Sequence, residues 1–87
     1  MMEIASVAVK QIRIDGEFCT HYLLVLKDET GKVRRQAVRV HRGDYPSAFK
    51  PEDTAIQLLV AWAKDQGMAS PDQAIRAAFK KEVSCGH

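Results

Sequence analysis

Apolar residues recur at every second position through the first half of the chain and at every third or fourth position through the second half. Side chains change face with period two along a strand and return to one face with period 3.6 along a helix. The pattern therefore predicts a strand half followed by a helix half. Ile4 to Ile14, "IASVAVKQIRI", alternates in two blocks, Val7 and Val9 on one phase and Ile12 and Ile14 on the other. The slip between the blocks predicts a β-bulge near Lys10 and Gln11. "DGE" at Asp15 to Glu17 is a hairpin signal, and a second strand is expected over Phe18 to Asp28.

"DETGK" then suits a three-residue hairpin loop with Gly31 in the left-handed conformation, which sets Lys32 opposite Asp28. Counting from that turn gives the register of the third strand. Leu26 faces Arg34, Leu24 faces Gln36, Tyr22 faces Val38 and Thr20 faces Val40. On the other face Val25 meets Arg35, Leu23 meets Ala37, His21 meets Arg39 and Cys19 meets His41. The first set, with Phe18, Tyr22, Leu24, Leu26, Val38 and Val40, carries the larger apolar side chains and is the expected core face. The opposite face is mixed: Leu23, Val25, Val33 and Ala37 near the turn, Cys19, His21, Arg39 and His41 at the far end.

"RGDYPSAFKPED" reads as a loop. Pro51 suits a first helical turn, with Glu52 and Asp53 at the positive end of the dipole, although "TAIQ" at Thr54 to Gln57 offers a capping box one turn later. This helix is expected to reach Gln66 and stop at Gly67. Its apolar positions, Ile56, Leu58, Leu59, Val60 and Trp62 with several alanines, make it the central packing helix. "SPDQ" starts a second helix, with Ser70 as cap and Ile75, Ala78 and Phe79 on its inner face, joined by Val83 at its end. The expected fold class is α+β, a three-stranded antiparallel sheet in β-β-β-α-α order with two helices packed on one face. One domain over residues 1–83 is expected, with a frayed tail at 84–87.

Composition narrows the functional classes. At 87 residues and 46% hydrophobic content the chain supports one modest core with little room for a deep pocket, which favours a binding module over an enzyme. "AIQLLVAWA" is far short of the ~20 apolar residues that span a bilayer, and the N-terminus has an acid where a signal peptide needs bases. A cytoplasmic protein with no membrane partner is expected, its Cys19 and Cys85 as free thiols. From Lys32 to Arg42 there are five bases and no acid; subtracting them from the net charge of +2 leaves the rest of the chain at −3. The basicity is local to the third strand, "VRRQAVRVHR".

Parity divides those bases between the faces, with Arg35, Arg39 and His41 on the outer one. A three-stranded sheet that lays such a face into the major groove resembles, in element order, the DNA readers of phage integrase arm domains and plant AP2 domains. That resemblance implies DNA binding through the sheet. The same arginines also suit an acidic protein partner. They can equally do no more than keep the strand solvated beside acids such as Asp28 and Glu29.

Other constellations carry less. Cys19, His21, His41, Cys85 and His87 are zinc-type ligands, but a C-x-H on a strand lacks the amide-supported turn of a zinc knuckle, so no metal site and no cofactor is expected. Cys19 and His41 as a nucleophile pair have no third group in view. The A-x-x-x-G start of a helix-turn-helix at Ala63 to Gly67 fails in its continuation, because the turn before Pro71 is too long. "RGD" at Arg42 to Asp44 is turn chemistry. Tyr45 and Phe49, beside the basic strand, either close the end of the core or add aromatic anchors to an interface.

The expectation is a non-enzymatic protein-interaction module, an inhibitor or adaptor of larger nucleic-acid-handling machinery of the phage or mobile-element kind. Its partner-binding residues are Leu23, Val25, Arg35, Arg39, His41, Arg42, Tyr45 and Phe49. The partner is a protein with an acidic surface, and the face also suits a homodimer. Direct DNA or RNA binding through the basic strand is the alternative.

Overall fold

The structure is a computed structural model that describes residues 2–41 and 51–85, with side chains described for all of these except Pro51 and residues 83–85. Three strands, β1 (Glu3–Ile14), β2 (Glu17–Lys27) and β3 (Val33–His41), are followed by helices α1 (Pro51–Asp65) and α2 (Pro71–Cys85). The sheet is antiparallel in the order β1-β2-β3, so the α+β fold in β-β-β-α-α order is the observed one. No helix among the described residues is long and apolar enough to cross a membrane.

Turn chemistry sets the register. Asp15 and Gly16 both have positive φ, 51° and 84°, the two-residue turn that matches strand twist, and they pair Ile14 with Glu17. At the second turn Gly31 has φ 88° and the Asp28 N–H donates to the Lys32 carbonyl at 3.0 Å, closing the expected three-residue loop. The β2–β3 register then matches the counted one at every pair from Cys19–His41 to Leu26–Arg34. Asp28 secures the loop by accepting bonds at one carboxylate oxygen from the Thr30 hydroxyl, the Thr30 N–H and the Lys32 N–H. The Thr30 hydroxyl, foremost among these, holds the Asp28 carboxyl below its ordinary pKa.

The helices cover one face only. Tyr22, Leu24, Leu26 and Val40 from the sheet pack with Ala55, Ile56, Leu59 and Ala63 of α1, Met68 of the turn, and Ile75 and Phe79 of α2. Phe79 is fully buried and meets Tyr22 edge-on, ring centroids 6.0 Å apart. Burial raises the Tyr22 pKa, helped by the nearby Glu52 carboxylate at the start of α1. α1 ends as expected at Gly67, whose φ is 94°. The Gly67 N–H donates to the Lys64 carbonyl and the Met68 N–H to that of Ala63, a Schellman closure with buried Met68 as its apolar clasp.

Four expectations need correction. The bulge lies at Ala5, between Ile4 and Ser6, and alternation from Ser6 to Ile14 is unbroken. It turns Ile4 back towards the helices beside Val7 and Val9, while Ile12 and Ile14 stay on the outer face. Phe18 is 56% exposed, not core, and Arg13 lies over its ring at 5.0 Å. Fifteen-residue helices are about 22 Å long, whereas a twelve-residue strand is about 40 Å, so the β1–β2 hairpin end overhangs its cover. Ser70 has φ 48°, unlike the extended backbone of a normal helix cap, and its hydroxyl makes no hydrogen bond among the described residues. Leu58, assigned to the packing face of α1, is 55% exposed.

This packing predicts unequal costs along the helices. Phe79→Ala should lower unfolding free energy by about 3–5 kcal/mol, whereas Leu58→Ala should cost below about 1 kcal/mol. Urea unfolding of the two variants checks the difference.

Candidate functional site

The face of the sheet opposite the helices is built from the alternate residues of all three strands. Along it the register sets cross-strand rows. Glu3, Lys27 and Val33 form the row next to the β2–β3 turn. Ser6, Val25 and Arg35 come next, then Ala8, Leu23 and Ala37. Lys10, His21 and Arg39 follow, then Ile12, Cys19 and His41, and Ile14 with Glu17 closes the far end.

Leu23 and Val25 are half-buried although they stand outside the helix-covered cluster, and Val33 is 47% exposed. Apolar side chains thus occupy the middle of a face that no described element covers. The strip is about 10 Å across, two interstrand gaps of ~4.8 Å, and about 35 Å long.

Charge on this face is unevenly compensated. Lys27 pairs with Glu3 in its own row at 3.5 Å, an exposed pair worth ~0–1 kcal/mol. Lys10, Arg35 and Arg39 are exposed and make no ion pair among the described residues. Arg34, on the opposite parity, donates to the Gln66 side-chain oxygen, so it stands with the helices. The outer face therefore presents an apolar middle flanked by the row of Lys10, His21 and Arg39 on one side and Arg35 on the other.

At the overhanging end, the Cys19 thiol and the His41 ring share a hydrogen bond, Sγ to Nδ1 3.0 Å, with Nε2 at 3.6 Å. Glu17 Oε2 lies 4.0 Å from the same Nδ1, a third group that the sequence reading missed. Its place two residues before Cys19 puts it on the same face, which was the available signal. A nucleophile's triad needs thiol and carboxylate on opposite ring nitrogens, so that the proton drawn from sulfur leaves the other nitrogen for the carboxylate. Here both meet Nδ1, and Cys19 is only 1% exposed. The trio closes the end of the face without the geometry of proton transfer. Among the described residues no three His, Cys, Asp or Glu side chains are placed to hold a metal ion.

Leu23, Val25, Arg35, Arg39 and His41 thus share one face, as expected. Arg42, Tyr45, Phe49 and His87 lie outside the described residues, as does the Cys85 side chain. Sequence reasoning missed Lys10, Ile12 and Ile14 as members of this face, because the misplaced bulge hid their parity. Counting back from the Asp15–Gly16 turn finds them.

No protein-family model, curated protein or solved structure matches the chain.

The burial of Cys19 has a direct chemical consequence. In a Cys85→Ser background the protein should stay silent towards a thiol reagent such as an aromatic disulfide in native buffer and react fully in denaturant. Fast reaction of the native protein would contradict this placement.

Proposed function

We propose that the outer sheet face docks an acidic protein surface, and that the chain works as a small non-enzymatic interaction module in the cytoplasm. The observation that carries this reading is the order of the rows: Ala8, half-buried Leu23 and Ala37 form an apolar row between the row of half-buried Val25 and Arg35 and the row of Lys10 and Arg39, cations that make no ion pair among the described residues. An apolar centre with a charged rim is the anatomy of a protein interface, and arginine is a favoured anchor there. The role this reading assigns is that of an inhibitor or adaptor of larger, nucleic-acid-handling machinery.

Direct nucleic-acid binding is the second reading. It is favoured by Lys10, Arg35 and Arg39, three cations without an ion pair among the described residues, on one strip whose ~10 Å width is close to that of the major groove, about 12 Å. Against it, the row between the cations is apolar, where a phosphate track needs bases throughout. Among the described residues the outer face also has no Phe, Tyr or Trp for stacking single-stranded bases.

Two measurements separate the readings. Anisotropy of labelled duplex and single-stranded oligonucleotides at about 50 and 200 mM salt should show no saturable, salt-steep binding. A protein captured by crosslinking to the wild type should be lost with Val25→Asp as well as with Arg35→Ala and Arg39→Ala. Salt-steep oligonucleotide binding that survives Val25→Asp but not the arginine variants would establish the second reading instead.

A further inference from the structure

The strand order gives β3 one paired neighbour, β2. Along its other side the backbone donors and acceptors of β3 have no strand partner among the described residues, and the Ala37 N–H donates only to the exposed Gln36 side-chain oxygen at 3.3 Å, a bond an added strand would replace. Five successive residues here, Val33 to Ala37, are exposed. A long regular edge is a template for a further strand unless it is blocked by a bulge, a proline or charge that repels the incoming chain. β1, the other edge, carries a bulge at Ala5. β3 has neither bulge nor proline, and its charges, Arg34, Arg35 and Arg39, are of one sign.

That sign selects the occupant. Full antiparallel overlap of two β3 strands centres on Ala37 and sets Arg35 of one copy against Arg39 of the other, twice over. Like charges directly opposite are destabilising, and opposite charges stabilise. A second copy is therefore disfavoured and an acidic strand favoured. We propose that an extended acidic segment of a partner protein adds to the β3 edge as a fourth strand, with acids over Arg35 and Arg39 and an apolar residue over Ala37.

The spacing is fixed by parity. Arg35, Ala37 and Arg39 share the outer face, so the segment carries acid, apolar and acid residues at every second position. The added strand prolongs the row of Ala8, Leu23 and Ala37 by one apolar residue, joining the edge to the outer face. Main-chain bonds supply affinity and the alternate side chains supply specificity, as in other strand-addition complexes. The inference rests on the protein-docking reading and specifies how the docking is done.

The test uses the full chain and two synthetic peptides of one composition. The first, Thr-Glu-Thr-Val-Thr-Glu-Thr, places both glutamates and the valine on one face. The second, Thr-Glu-Thr-Val-Glu-Thr-Thr, splits the glutamates between faces. The first should bind about two- to fivefold tighter, the worth of the one cross-strand ion pair that the second peptide lacks, and should slow hydrogen exchange at alternate β3 amides. N-methylation of one alternate set of its amides should abolish binding, and of the other set should be tolerated, because only one set faces β3. Arg35→Ala and Arg39→Ala should each weaken binding of the first peptide, and Arg35→Ala, which removes the partner of the relocated glutamate in antiparallel addition, should remove the preference between peptides.

Equal binding of the two peptides, or indifference to N-methylation at both sets, would overturn strand addition. If that indifferent binding were still lost with Val25→Asp, the docking of acids on the outer face would stand without it. Failure of both peptides to bind would overturn strand addition too, and with salt-steep duplex binding the protein-docking reading would fall as well.

Discussion

Two helices of fifteen residues can cover one face of a sheet, and only part of its length. Everything distinctive in this chain follows from that limit. Burial of Leu24, Leu26, Leu59, Ile75 and Phe79 between the layers supplies the hydrophobic stabilisation that a domain of this size depends on. The same packing leaves the alternate residues of each strand on the far side. Where the strands outrun the helices, Phe18 is uncovered on the near side as well, and Arg13 partly shields it. The bulge at Ala5 answers the same demand at the opposite end, rotating Ile4 into the core after Val7 and Val9 have taken their places.

The uncovered face is then a matter of which residues the sequence puts there. An idle face would be polar in every row, as in most one-sided antiparallel sheets. Here Leu23 and Val25 interrupt that expectation, and the cations around them are mostly left without acids. Several acids are engaged by other groups: Asp28 in its own turn, Asp72 and Asp53 on Arg76, Glu3 on Lys27 and Glu17 beside His41. Charge placement thus leaves Lys10, Arg35 and Arg39 without an ion pair among the described residues. The one-signed charge of β3 also turns an aggregation-prone edge into one that rejects its own copy.

Much of this order was legible before any coordinates. "DGE" marked one hairpin, and "DETGK", with Gly31 at positive φ, marked a second turn and, by counting, eight strand pairs from Cys19–His41 to Leu26–Arg34. Gly67 marked the end of α1 for the same reason. The misplaced bulge came from assuming that Ile12 and Ile14 must point inward, which holds only where helices extend far enough to receive them. Phe18 failed on the same assumption. Ser70 matched a capping sequence, yet the long turn carries it into a left-handed conformation, a tertiary constraint that no local pattern records. The geometry of Cys19, His41 and Glu17 at one ring nitrogen was likewise beyond counting, since register places residues in a row but does not orient a ring.

The most direct test of the account asks whether one face of the sheet is open. Methyl NMR signals broadened by a neutral paramagnetic cosolvent report side-chain accessibility residue by residue in solution. The account predicts strong broadening for Leu23, Val25 and Val33 and protection for Leu24, Leu26 and Leu59. Equal protection of Leu23 and Leu24 would mean that the outer face is covered within the molecule, and the docking surface would be lost with it.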